Sequence, residues 1–308
     1  RGSSVKTRRR IFQNWQLYAF LLIPTIYVFI FNYIPMAGVQ IAFKKYNLNL
    51  GIWGSPWLGF DNFTRFFQNT YFERTLVNTL RISVYALVAG FPMPIILALF
   101  LNSMNNLRFK KLVQTITYVP HFISVVVIVG LLLQIFNPKI GLFAVIYKAV
   151  TVGGDVPDLF GKPDAFPHLY VWSGIWQSMG WGSIVYVAAL SGVDASLHEA
   201  AEIDGASKPQ RIWHIDFPSI LPTAVMLLIM NAGRIMSVGF EKVLLMQNNL
   251  NLRTSEIIST YVYKVGLSSI TGDYGYATAI GLFNSIINLA LILAVNYISR
   301  KLTEQSLW

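Results

Sequence analysis

No cysteine occurs among the 308 residues. Disulfides, Cys-ligated zinc, iron–sulfur clusters and thiol nucleophiles are therefore outside the chemistry of this chain. Charge is nearly as scarce. Asp, Glu, Lys and Arg make up 12% of the residues, where a soluble domain carries about 25%. The four histidines, His121, His168, His198 and His214, are dispersed, and none stands at metal-ligand spacing from another histidine or a carboxylate. There is no Gly-x-x-x-x-Gly-Lys-Ser/Thr phosphate loop and no redox pair. The apolar runs hold neither a carboxylate nor a Ser/His pair for a membrane hydrolase. The chain reads as a non-enzyme that binds no cofactor or metal of its own.

What remains is oil. Hydrophobic residues reach 54% and the mean hydropathy is +0.51, so the fold class is all-α, a polytopic membrane protein. The net charge of +10 has two readings: basic loops beside anionic headgroups, or an acidic substrate or partner. The charges are scattered between apolar runs and form no basic face, which argues against nucleic acid.

Residues 1–14 form a basic segment (Arg1, Lys6, Arg8, Arg9, Arg10). The first residue is not Met, which leaves room for a longer natural N-terminus. Residues 15–308 read as a single transmembrane domain. A bilayer crossing needs about 20 apolar residues, and six stretches qualify: 15–42, 76–102, 112–136, 169–190, 219–240 and 277–299. The first is too long, and lacks the small-residue site, for a cleaved signal peptide. The densest short basic clusters, Arg8–Arg10 and Arg108 to Lys111, place both termini in the cytoplasm. Outside, Asp61 opens a short amphipathic helix with aromatics at 3–4 spacing. Residues 151–168, rich in Gly, Pro and Asp, read as an ordered turn-rich loop.

Candidates for a solute path are polar or aromatic groups inside these spans. Asn231, Arg234, Ser237 and Glu241 recur at helical spacing. Intramembrane ionisable residues are costly and face an interior or a cavity, although an Arg234–Glu241 pair or a snorkelling arginine would fit equally. Trp172, Trp176, Gln177 and Trp181 could stack on sugar rings and bind hydroxyls, or serve as an interfacial belt and packing. His121 follows Pro120, whose freed backbone groups need a cavity or polar partner. Asn284 is more simply glue between helices.

The segment 191–218 is the anomaly. Asp194, Glu199, Glu202, Asp204 and Asp216 are answered only by Lys208 and Arg211. It is helix-prone, with Gly205 placed to end one helix and Ser207-Lys208-Pro209 to restart another. Glu199-Ala200-Ala201, Asp204-Gly205-Ala206, Ile215 and Pro218 resemble the EAA loop of membrane subunits of binding-protein-dependent ABC importers; Phe217 stands where Leu is commoner. Gly59-Phe-Asp-Asn-Phe63, Asn78-Thr-Leu80, Tyr118-Val-Pro-His121 and Asp273 to Ala279 are similar to the carbohydrate-uptake branch. Within it they are most like permeases for oligosaccharides of plant or algal polysaccharides, including acidic ones such as pectin fragments and alginate.

The resemblance implies a type I importer permease of the bacterial inner membrane. It implies pairing with a second permease, expected to be a different chain, and with two ATPase subunits that hold ATP and Mg. An extracytoplasmic solute-binding protein would deliver an oligosaccharide. Carried over by position, Glu199, Ala200, Ala201, Asp204 and Gly205 would form the coupling helix that contacts the ATPase. An ion-coupled secondary transporter predicts a titrating carboxylate within a span and inverted repeats; neither is evident. A non-transporting membrane scaffold is the other alternative.

Overall fold

The computed structural model describes residues 14–151, 153–233, 235–268 and 272–303. Among them the one β pairing is an isolated antiparallel bridge, Lys44–Trp57; the rest is helix and connection. Uncharged runs in hydrocarbon have no water to satisfy their backbone groups, so they close those bonds internally as helices.

The first run, α1 (Trp15–Phe43), continues through a π turn at Phe29–Tyr33 and a 3-10 end at Ala37–Phe43. Helix α2 (Asp61–Phe67) starts at Asp61, as its sequence predicts. Asn69 caps α3 (Thr70–Gly90), which runs on into α4 (Pro92–Ser103). Asn106 caps α5 (Leu107–Tyr118), and Ser124 caps α6 (Val125–Ile135). Next come α7 (Leu142–Val150), the turn-rich connection, and α8 (Phe166–Leu190). The short helices α9 (Ala195–Ile203) and α10 (Lys208–Arg211) lead through a π turn, Ile212–Asp216, into α11 (Phe217–Ala232). After a break come α12 (Phe240–Met246), α13 (Ile258–Tyr263) and α14 (Tyr274–Thr303).

Among the described residues, four helical runs are both long and apolar enough to cross a bilayer: Trp15–Phe43, Thr70–Ser103, Lys208–Ala232 and Tyr274–Lys301. The pair α5 and α6 makes a fifth if counted as one broken span. Helix α8, at 25 residues, is long enough but less apolar, so six spans are not reached on apolarity alone.

Two expected spans differ from their predicted form. The third, 112–136, is bent by 103° between Phe122 and Val125. Pro120 removes a backbone donor, the chain tightens into a 3-10 turn at Val119–Phe122, and the Ser124 cap starts a fresh helix. The fifth, expected to reach residue 240, stops at Ala232. Asn288 sustains that break: its Oδ1 accepts from Met236 N at 3.2 Å and its Nδ2 donates to Ser237 Oγ at 3.3 Å. The freed backbone thus finds a side-chain partner.

Contacts divide the molecule into two compact units. One comprises the described residues up to Phe67 together with Val265–Leu282. In it Phe43 packs on Phe60 and Phe63, with centroids 5.4 and 5.3 Å away. Asn62 Nδ2 donates to Ala42 O at 2.9 Å. Arg65 pairs with Asp273 at 2.6 Å and lies over Tyr276.

The other unit holds residues 68–264 and the remainder of α14. One cluster gathers Ile82, Val129, Phe166, Val243, Met246 and Ile257; a second gathers Ile95, Ala98, Tyr186, Leu190, Ile220 and Ala224. Buried Glu256 is held by Arg74 and by Lys264. Glycine lets α8 meet its neighbour closely: a Cβ at Gly180 would lie 2.0 Å from Thr117 O on α5.

Candidate functional site

A cavity of about 690 Å³ lies along α8 in the second unit. Tyr170, Gly174, Ser178, Trp181 and Val185 line it at intervals of three or four residues, so one face of α8 forms its wall. From Tyr170 to Tyr186 that wall is about 24 Å long at the helical rise, against a hydrocarbon core of about 30 Å. Ser83, Leu87 and Gly90 of α3, Pro94 of α4, and Leu227 and Asn231 of α11 close the other sides. Ser237 and Lys242 complete the lining beyond the α11 break. The polar groups of α8 that depress its apolarity are thus largely those that face a cavity.

Lys242 is the charged residue among the described lining residues and is only 7% exposed. Its Nζ donates to Tyr170 O at 3.1 Å and sits 5.0 Å from the Tyr170 ring centroid. Burial lowers the ammonium pKa to about 8; α12 lies outside the candidate spans. Tyr170 OH in turn accepts from Gly239 N at 3.0 Å, fixing the loop that carries α12.

The residues expected to line a path divide among several surroundings. Gln177 and Asn231 line this groove. Gln177 Nε2 also donates to Ile123 O at 3.2 Å, supplying the partner that the Pro120 break requires. His121 stacks parallel on Trp181 at 4.6 Å, and Trp181 faces the groove. Trp172 and Trp176 instead line a smaller, apolar cavity of about 310 Å³ with His168 and Phe136. Trp172 Nε1 donates to Tyr85 OH at 2.8 Å, and that hydroxyl meets His168 Nδ1 at 2.9 Å.

Glu241 is exposed on α12, while its neighbour Lys242 faces the groove. Asn284 keeps a buried Oδ1 that makes no hydrogen bond among the described residues. Arg234 lies outside the described residues. Lys242, Tyr170 and Ser178 are groove residues that sequence reasoning passes over. An unbroken helix from 219 places Glu241 on the polar face; the break after Ala232 resets the register and turns Lys242 inward.

The acidic segment forms a knob of two capped helices. Asp194 caps α9, accepting from Ser196 N at 2.9 Å, and this bond holds its carboxyl below the usual range. The C-terminus closes as a Schellman turn: Ala206 N donates to Ala201 O at 2.8 Å and Gly205 N to Glu202 O at 3.0 Å. Gly205 takes φ +78°, with open space around it. Ser207 N donates to Gln210 Oε1 at 2.7 Å, the box that starts α10 with Pro209 in its first turn.

Most of the segment's acids are used internally. Glu202 pairs with Arg211. Asp216, 2% exposed, accepts from Asn102 Nδ2 at 3.2 Å and faces His198 Nε2 at 3.3 Å. Glu199 and Asp204 are exposed, and their carboxylates have no ion pair or hydrogen bond among the described residues. Ile203, between them, is 87% exposed. Two free carboxylates around a bare apolar side chain make a surface suited to a partner with a basic rim and an apolar cleft. Ala200 and Ala201, exposed and half-buried, keep the same helix slim. Ile203 is a further residue the sequence motif does not single out.

Comparison with known proteins places the chain in a family. A family model described as "Binding-protein-dependent transport system inner membrane component" matches residues 90–304. Protein LplB of Bacillus subtilis (strain 168) is 41% identical over 307 residues, covering 100% of this chain and 95% of that protein. The polygalacturonan/rhamnogalacturonan transport system permease protein YteP of the same organism is 38% identical, over 97% of this chain and 92% of that protein. A subunit in the crystal structure of a bacterial ABC transporter involved in import of the acidic polysaccharide alginate superposes with a TM-score of 0.88 at 39% identity. It covers 97% of this chain and 99% of that one. The same kind of transporter has been crystallised with a periplasmic protein bound to an alginate pentasaccharide, and matches with a TM-score of 0.87. The chain belongs to the family of inner membrane components of binding-protein-dependent transport systems.

Proposed function

We propose that this chain is one of two membrane subunits of an ATP-driven importer for oligosaccharides. An extracytoplasmic binding protein hands the sugar to it, and separate ATPase subunits, holding ATP and Mg, drive it. The second permease is a different chain. The observation that carries this reading is the α9 knob. It presents unpaired Glu199 and Asp204 carboxylates around exposed Ile203, and after the tight turn at Gly205 the chain runs as one helix from Lys208 to the end of α11. Helix α11 places Asn231 in the groove, so a pull at the knob reaches the cavity wall.

The knob lies on the cytoplasmic face, with both termini, in agreement with the basic clusters at Arg8–Arg10 and Arg108–Lys111. Helix α8 is the sixth span; its polar face is tolerated because it borders the groove rather than lipid. Gln177, Ser178 and Asn231 offer neutral donors and acceptors for hydroxyls, and Trp181 an aromatic face for a sugar ring. Arg234, two positions beyond α11, is assigned to the same path from its sequence position.

Co-purification tests the reading. The complex extracted in mild detergent is expected to contain an ATPase and a second permease, and its ATP hydrolysis to rise with a loaded binding protein. A chain that purifies alone from native membranes, with no ATPase, overturns it. If Arg234→Met sustains full uptake in an assembled complex, that residue's role is dismissed.

A further inference from the structure

A buried charge is ordinarily paired, as Glu256 is with Arg74 and Lys264. Lys242 breaks that rule. Among the described residues no carboxylate comes within ion-pair distance of its ammonium. Its contacts are neutral: one carbonyl and one aromatic ring, both of Tyr170. An ammonium has three N–H donors, and a single carbonyl uses one. Gly174 adds to the opening: a Cβ there would come within 3.3 Å of Nζ, so the glycine leaves the ammonium uncovered on the cavity side.

Desolvating a cation without a counter-ion is costly, so a buried ammonium bordering a cavity marks a place for an anion. The remaining polar lining, Gln177, Ser178, Asn231 and Ser237, is uncharged and suits hydroxyls. We infer that Lys242 is the charge-selecting contact of the groove, pairing with the carboxylate of a uronic-acid residue as an acidic oligosaccharide passes. The inference rests on the groove being the sugar path. Among the described lining residues one ammonium stands among neutral groups, a match in charge for one monoanion such as a carboxylate. The ligand class is therefore carboxylate-bearing sugar. Tyr170, holding the ammonium from one side, positions it.

The test uses the complete importer with its ATPases, partner permease and binding protein, reconstituted in vesicles. Uptake of a uronic-acid oligosaccharide is measured beside its carboxyl-methylated counterpart and a phosphorylated oligosaccharide of similar length. Lys242→Met is expected to assemble, since it replaces a buried charge by an apolar chain of similar length, and to lower uptake of the free acid at least ten-fold. Lys242→Arg is expected to restore most of it. Uptake of the methylated sugar by Lys242→Met should stay within about two-fold of wild type.

Equal loss of both sugars would mean a packing role and would overturn the inference, as would wild-type uptake of the acid by Lys242→Met. Preference for the phosphorylated sugar would overturn the assignment to carboxylates. A wild-type complex that assembles but carries none of the three would overturn the groove as sugar path as well. Carriage of only the methylated sugar would leave the path standing and remove the charge selection.

Discussion

Asp216 faces His198 at 3.3 Å and accepts from Asn102 at 3.2 Å. Three elements, α9, the end of α4 and the π turn before α11, thus meet on one buried carboxylate. π turns recur at functional sites, and here the turn delivers Asp216 to both partners. The consequence is that the knob and the span behind it are fastened together by a polar bond as well as by chain continuity.

Removing that carboxylate should unfasten them. Asp216→Ala leaves the half-buried Asn102 and His198 groups without their shared acceptor, a cost of about 1 kcal/mol. The expected result is a lower melting temperature and faster hydrogen exchange in α9, with ATP hydrolysis persisting while transport falls. Unchanged exchange in α9 would dismiss the fastening role.

Glu199→Lys should weaken docking of the ATPase. Glu199 has no partner among the described residues, so its replacement breaks nothing within the chain and stability should be unchanged. Ile203→Asp should do the same through the apolar part of the surface. Retention of the ATPase through size-exclusion chromatography is the readout. Both variants retaining it would sink the assignment of α9 as the docking helix.

Gly205→Ala asks a Cβ-bearing residue to hold φ +78°. The left-handed region costs a non-glycine residue about 1–2 kcal/mol, although nothing crowds the position. The expected outcome is frayed α9 and weaker coupling. Gly205→Asn should be milder, because Asn tolerates that region. Equal transport by wild type and Gly205→Ala would show that the turn is not required.

Gly180 is a glycine for a different reason. Its missing Cβ leaves room for Thr117 O. Gly180→Ala should push α8 from α5 at a cost of about 1–3 kcal/mol or more. It should also disturb the nearby His121–Trp181 stack. Thermal denaturation in detergent and Trp fluorescence would both register it. A neutral result would mean that the two helices separate freely.

How much of this was legible in the residues varies by feature. The apolar runs are long and nearly free of charge, so helix existence and type followed from hydropathy. The Asp61 start, the Pro209 restart and the Gly205 stop each rest on a local backbone rule that needs no neighbour, and each stands where the sequence put it. The bend at Pro120 was half visible: the proline announces a freed carbonyl, but that Gln177, 57 positions later by its number, would satisfy Ile123 O depends on packing. The break after Ala232 was invisible, because Asn288 sustains it from another helix. That break decides whether Glu241 or Lys242 looks inward, so the groove's charge could not be read from periodicity. Within the acidic segment, composition showed an excess of carboxylates. Only the fold separates Glu202 and Asp216, which are used internally, from Glu199 and Asp204, which are not.

The run from Lys208 to Ala232 has one further property. It is continuous helix for 25 residues, so Asn231 stands about 35 Å from Lys208 at the helical rise. As a lever, a tilt of about 5° at the knob end would sweep Asn231 through about 3 Å over that length, roughly the span of one hydrogen bond. Small rotations at the Lys208 end are thereby large enough, at Asn231, to exchange one set of hydrogen-bond partners for another.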